Sequence, residues 1–182
     1  MESSVAPQQE PKYHHGMREV AISLEDRANE LRNDAGRADL YGRSAFNRYY
    51  YASFYVARDM LAEFDPSWRS TTHASIPELL NGKVRSRIKK FQAQARKLGD
   101  SESIAICSRA ISDVNELSQL LREGYAVRST ADYDPSVSIT FSKNSGQFSL
   151  ASVPVSTARK WVDRANQLSS VVRRAWALAN EN

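Results

Sequence analysis

A single cysteine, Cys107, stands in the chain, so no intrachain disulfide can form, and a cysteine-based metal site would need ligands from elsewhere. That fits a reducing, cytoplasmic setting. Glycine and proline are scarce as well, seven and six in 182 residues. Strand-rich proteins need more turn residues than this, so helix is the expected class. No run approaches the roughly 18 apolar residues that a membrane span requires. The first 16 residues are polar rather than a basic segment followed by an apolar one, so neither secretion nor membrane insertion is expected. A Gly-rich phosphate loop, a nucleophile elbow, a His-Glu-x-x-His helix and a calcium loop are all missing, which argues against the common hydrolase and nucleotide-loop chemistries. Histidine is limited to His14, His15 and His73. The first two are adjacent and cannot form a metal site alone. No metal and no cofactor are expected.

What is present is enough for one core: 41% of residues are apolar and 25% charged. Residues 1–16, with Pro7, Pro11 and no apolar periodicity, read as a disordered tail ahead of one helical domain over 17–182. From Met17, Val20, Leu24, Ala28 and Leu31 recur at helical spacing, and Gly36 breaks the pattern. A second helix is expected from about Ala38 to Phe64, dense in aromatics, stopped by Asp65 and Pro66. Residues 67–82 read as a loop with one short helical turn. Lys83 to Leu98 resumes as a helix with Val84, Ile88, Phe91 and Ala95 on one side, closed by Gly99. Asp100 or Ser101 can cap the next helix, whose stripe of Ile104, Cys107, Ile111, Val114, Leu117 and Leu121 runs to about Val127.

Beyond Pro135 the period changes to two. Val137, Ile139 and Phe141 alternate with small polar residues, Asn144, Ser145 and Gly146 supply turn chemistry, and Phe148 and Leu150 alternate again. A small β-hairpin over 137–153 is therefore expected before a final helix, capped by Ser156 or Thr157 and carrying Trp161, Val162, Ala165, Leu168, Val172, Ala175 and Leu178. The expected fold is an all-α antiparallel bundle of four or five helices with that hairpin inserted before the last one.

Charge is modest in total, +4, but unevenly spread. Lys83, Arg85, Arg87, Lys89, Lys90, Arg96 and Lys97 follow one another without an intervening acid. Such a helix can neutralise nucleic-acid phosphates, although a run of this kind is more often a solvated face.

Three segments hold the remaining chemistry: Ser44 to Phe54 with Arg48 and the triplet Tyr49, Tyr50 and Tyr51; the pair Thr72 and His73; and Arg128-Ser129-Thr130-Ala131-Asp132-Tyr133. Consecutive tyrosines on a helix point 100° apart, so at least one faces solvent or a partner. With Arg48 it could stack RNA bases or join a dimer interface. Together the three segments resemble the HEPN family, one branch of which has a Ser-x-x-x-Arg-x-Tyr-Tyr-Ala helix, a short loop with a histidine and a later Arg-x-x-Ala-Asp-Tyr. Ser44, Arg48, Tyr50, Tyr51 and Ala52 match the first, His73 the second, and Arg128, Ala131, Asp132 and Tyr133 the third.

The resemblance implies a helical bundle that often dimerises. It also implies a place in a toxin–antitoxin or anti-phage defence system, and metal-independent cleavage of single-stranded RNA in active members. An imidazole can carry the proton while an arginine stabilises charge on the phosphorane. No histidine follows His73 here, and Asp132 or Tyr133 holds the position where the family's motif has one. If the chain cleaves RNA, Arg128 would stabilise charge and Asp132, Tyr133 or His73 would carry the proton. The other reading of Arg128 and Asp132 is an ion pair one turn apart. RNA contacts would fall to Arg48, Lys83, Arg85, Arg87, Lys89 and Lys90. The expected partners are RNA, a cognate antitoxin or defence protein, and a second copy of the chain. A non-catalytic adaptor for such a partner, for example a nucleotidyltransferase-like protein, is the alternative function.

Overall fold

The computed structural model describes residues 13–142 and 147–181. Its helices are α1 (Tyr13–Glu30), α2 (Ala35–Phe64), the short α3 (Ser75–Leu79), α4 (Arg85–Leu98), α5 (Ser101–Tyr133) and α6 (Val155–Glu181). Three short strands, β1 (Thr140–Phe141), β2 (Phe148–Leu150) and β3 (Val153–Pro154), lie between α5 and α6. The expected all-α bundle with a β insertion before the last helix is what the chain forms.

Helix ends follow local chemistry. Asp34 caps α2 by accepting from the Arg37 N–H at 3.1 Å, so Gly36 sits inside the first turn instead of breaking the helix. Gly99 adopts φ 71° and closes α4 in a Schellman motif, with Asp100 N–H donating to Ala95 O and Gly99 N–H to Arg96 O. Asp100 then caps α5 through the Ser103 N–H at 3.0 Å. The stretch expected as a loop after α2 is mostly helical: a 3₁₀ turn over Pro66–Ser70, then α3, then one π turn over Leu80–Val84 that leads into α4.

Cross-links give the directions of the helices. Arg18 meets Asp163 and Arg159 meets Glu25, so α1 and α6 run antiparallel. Asn47 meets Asp132 and Tyr51 meets Arg128, so α2 and α5 do too. Glu116 with Arg164 and Glu102 with Arg174 give the same result for α5 and α6. α2 is the central helix, packed on α1, α5 and α6. It buries Phe46, Tyr49, Tyr50, Met60 and Leu61 against Val114, Leu117 and Leu121 of α5 and Val162, Leu168 and Val172 of α6. Each such leucine or methionine contributes about 2 kcal/mol of transfer free energy. Cys107 lies fully buried on α5, and burial, then the charge of Asp100, pushes its thiol up.

The face of α1 differs from the periodicity. Ala21, Glu25 and Ala28 point inward, while Val20 is 47% exposed. A buried carboxylate is tolerated because Tyr49 donates to Glu25 at 2.6 Å and Arg159 grips it with two N–H groups. α1 also starts earlier than expected: Tyr13–Gly16 form its first turn, and the rest of the expected tail lies outside the described residues.

The β insertion is a three-stranded antiparallel sheet in the order β1-β2-β3, with Phe141 opposite Phe148 and Leu150 opposite Val153. The expected turn at Asn144 to Gly146 lies outside the described residues. The second turn, Ala151 and Ser152, has positive φ at both residues, 47° and 66°, as a two-residue type I′ hairpin requires. The sheet seats on α2 at Gly42, where a Cβ would lie 2.7 Å from Ile139 Cδ1 and 3.0 Å from Phe148 Cε2.

Candidate functional site

Tyr49, Tyr50 and Tyr51 each reach a different element. Tyr49 donates into the Glu25–Arg159 pair between α1 and α6. The Tyr50 hydroxyl lies 2.9 Å from His73 Nδ1 in the segment before α3. The half-buried Tyr51 accepts from Arg128 Nη2 of α5 at 3.3 Å. The tyrosine left partly to solvent is Tyr51, and it stands between two of the residues singled out in the sequence.

His73 is enclosed by rings. It stacks on Phe54 at 3.8 Å between centroids, meets Tyr51 edge-on at 5.2 Å and lies 6.2 Å from Tyr125. Burial, then the positive charges of Arg128 and Arg58, push its imidazole pKa down, which favours the neutral form. Tyr50 is pushed up by burial and keeps its proton.

Arg128 forms an ion pair with Asp132 at 2.8 Å, one helical turn away. Its guanidinium also lies 5.7 Å from the Tyr51 ring and 5.2 Å from that of Tyr133, which is 73% exposed. Asp132 is held a second time, by Asn47 Nδ2 at 2.8 and 3.0 Å. Asn47 and Asp132, with Leu40, Arg43, Ser44, Arg48 and Ala131, line an open cleft between α2 and α5. Arg48, expected at an RNA surface, is a half-buried wall of that cleft.

Arg43 was not singled out in the sequence, yet it organises this end of the molecule. Its Nε donates to Ala131 O at 2.9 Å, its Nη2 to Thr130 O at 3.0 Å and Asp134 O at 2.9 Å, and its Nη1 to Val137 O. One guanidinium thus covers Ala131 O and Asp134 O at the end of α5, shares Thr130 O with the Asp134 N–H and fixes the chain leading to β1 through Val137 O. This lets α5 run on from Val127, the expected end, to Tyr133, so that Arg128, Asp132 and Tyr133 all lie on helix. Arginine at 43 gave no local signal, because its partners lie about 90 residues away.

The basic helix lies elsewhere. Gln92 of α4 bonds Ser108 at 2.7 Å, and Ser108 and Arg128 are separated by 20 residues of α5, about 30 Å of helix. Lys89 and Lys90 are exposed there. Arg87 donates to Ala179 O and Asn180 Oδ1 at the end of α6, Lys83 sits 5.7 Å from the Trp68 ring, and Arg85 is half-buried. The structure therefore gathers Arg128, Asp132, Tyr133, Arg48 and His73 around Tyr51 and Asn47, and keeps Lys83, Arg85, Arg87, Lys89 and Lys90 apart from them.

Among the described residues no three His, Cys, Asp or Glu side chains converge as metal ligands, and no helix is long and apolar enough to cross a membrane. No family model, no curated protein and no solved structure matches the chain.

Proposed function

We propose that this is a HEPN-like component of a toxin–antitoxin or anti-phage defence system that acts on RNA, binding single strands at the Arg128 cluster. One observation carries this reading: Arg128 lies between Tyr51 and Tyr133, with Tyr133 exposed and Tyr125 39% exposed along the same edge of α5. A cation flanked by accessible rings suits a phosphate beside stacked bases, each stack being worth about 1–3 kcal/mol. The exposed Lys89 and Lys90 would extend contact with a longer strand. Such a protein would work in the cytoplasm, as a homodimer.

Cleavage without a metal needs a neutral base and a fixed cation. Burial and the nearby arginines favour the neutral form of His73, which stands one ring from Arg128, across Tyr51. A second reading is favoured by a different observation. Asp132 already takes up the charge of Arg128 and is itself held by Asn47, which suits a non-catalytic adaptor that holds a protein partner, such as a nucleotidyltransferase-like antitoxin.

The test is incubation of the purified protein with labelled single-stranded RNA in excess EDTA, with Arg128→Ala and His73→Ala alongside and binding followed by anisotropy. Products that persist in EDTA and vanish with Arg128→Ala establish the nuclease. Binding without products leaves an RNA-binding protein. Neither binding nor cleavage sinks the RNA reading and leaves the adaptor.

A further inference from the structure

Tyr50 is 1% exposed, and the one hydrogen-bond partner of its hydroxyl among the described residues is His73 Nδ1, at 2.9 Å. That pairing decides which ring nitrogen carries the proton of a neutral imidazole. With the proton on Nδ1, the ring would donate to the phenol oxygen. The phenol's own hydrogen would then be buried without an acceptor, at the full cost of desolvating a donor. With the proton on Nε2, the phenol donates to Nδ1 and both groups are satisfied. Nε2 has no partner among the described residues and is not one of their buried unpaired atoms, so it opens to solvent. Neither ring is free to rearrange. Tyr50 packs so closely on α5 that a Cβ at Gly124 would lie 3.0 Å from its Cδ2. His73 stacks on Phe54, in a turn where the N–H groups of Ser75 and Ile76 both donate to Thr72 O, at 3.1 and 3.2 Å.

We propose that Tyr50 is a positioning residue that fixes neutral His73 as its Nε2–H tautomer, so that the open edge of the ring offers a ligand a hydrogen-bond donor and no lone pair. The tautomer does not rest on the RNA reading above, whereas the role it gives His73 in cleavage does. A neutral imidazole held this way steadies an oxygen on which negative charge develops. It cannot take a proton from a 2′-hydroxyl through its open nitrogen, because that nitrogen already carries one. The nitrogen that could take a proton, Nδ1, is turned inward and covered by the Tyr50 hydroxyl. In the RNA reading neutral His73 therefore acts as a donor, and the base is another group.

The experiment is long-range proton–nitrogen NMR of the histidine rings in the full chain, labelled with nitrogen-15, at about pH 8.5, where imidazoles are neutral. His73→Gln assigns the signals, and Tyr50→Phe removes the hydroxyl while keeping the ring; thermal unfolding shows whether the variant is folded. The expected wild-type pattern is a protonated Nε2 and an unprotonated Nδ1. Tyr50→Phe should lower the ratio of the two tautomers about fivefold, towards that of a free imidazole. A wild type with the proton on Nδ1, or with both tautomers mixed, overturns the proposal without any variant. So does a folded Tyr50→Phe protein with the wild-type pattern. In the EDTA cleavage assay, Tyr50→Phe should slow the reaction about fivefold and leave RNA binding unchanged, since it acts through His73. Unchanged cleavage overturns the role of the tautomer in the reaction. An Nε2–H tautomer in a protein that neither binds nor cleaves RNA upholds the tautomer and removes the RNA reading.

Discussion

Asp132 lies 2.8 Å from Arg128 and is at the same time the acceptor for both oxygen contacts of Asn47, so the strongest cation of the candidate site is held in check by its own helix. A phosphate approaching Arg128 competes with this carboxylate. Asp132→Asn keeps the shape and removes the charge. Because an ion pair between neighbouring turns of one helix is worth ~0.5–1 kcal/mol, the substitution should tighten single-stranded RNA binding about two- to fivefold. Anisotropy titration at fixed salt measures it, and unchanged or weaker binding would argue against phosphate contact at Arg128.

Arg43 offers a test of the architecture that needs no ligand. Its four carbonyl partners span Thr130 to Val137, and planar guanidinium geometry is what lets one side chain reach them all. Arg43→Met should cost ~2–3 kcal/mol in urea denaturation, from lost charge-assisted hydrogen bonds. Arg43→Lys should recover less than half of it, since an ammonium cannot cover the same fork. Full recovery with lysine would mean that charge alone matters there.

The Tyr49–Glu25 bond at 2.6 Å makes stability depend on alkaline pH. Burial, then the hydrogen bond to Glu25, raises the Tyr49 phenol well above its ordinary 10.0. Above pH 10 the unfolded chain releases this proton while the folded chain keeps it, so the unfolded state binds fewer protons and stability falls as pH rises. The contribution is complete below pH 10 and is lost upward from there. Tyr49→Phe should lower stability by about 1–3 kcal/mol at pH 7 and flatten the decline between pH 10 and 11. Urea midpoints measured across that range decide it, and an unchanged slope would remove Tyr49 as its source.

Ala151 and Ser152 sit at positive φ in a turn that favours asparagine and glycine. Replacing the pair with Asn-Gly should stabilise the protein by ~0.5–1 kcal/mol, an increase of about 1–4 °C in Tm. Calorimetry that shows a drop instead would mean that the Ala151 or Ser152 side chain makes contacts that outweigh the backbone strain.

Local signals were enough for the long helices, the stop at Gly99, the Asp100 cap and the presence of strands, but not for the start of the last helix: α6 begins at Val155, so Ser156 and Thr157, the expected caps, lie inside its first turn. Asp34, Gly99, Asp100 and Asp65 act through neighbours a few residues away, so their roles can be read from the chain. The misplaced features have distant causes. Val20 loses the core to Glu25 because Tyr49 and Arg159, the latter 134 residues away, pair with a carboxylate that looks solvent-bound in sequence. α5 outruns its expected end because of Arg43. The second hairpin turn was invisible because neither Ala151 nor Ser152 is a usual residue for it. At the candidate site, the motif residues pointed to Arg128, Asp132 and His73. What joins them, Tyr51 between His73 and Arg128 and Asn47 against Asp132, depends on how α2 and α5 cross.

Cys107 gives this bundle an internal reporter. The sole thiol is fully buried on the helix that packs against α2, α4 and α6, and its raised pKa keeps it in the unreactive form. A thiol reagent in native buffer therefore finds a target only when α5 parts from its neighbours, and each molecule is marked once. The labelling rate counts those openings directly, and comparing it with and without RNA would show whether occupying one end of α5 quiets the other.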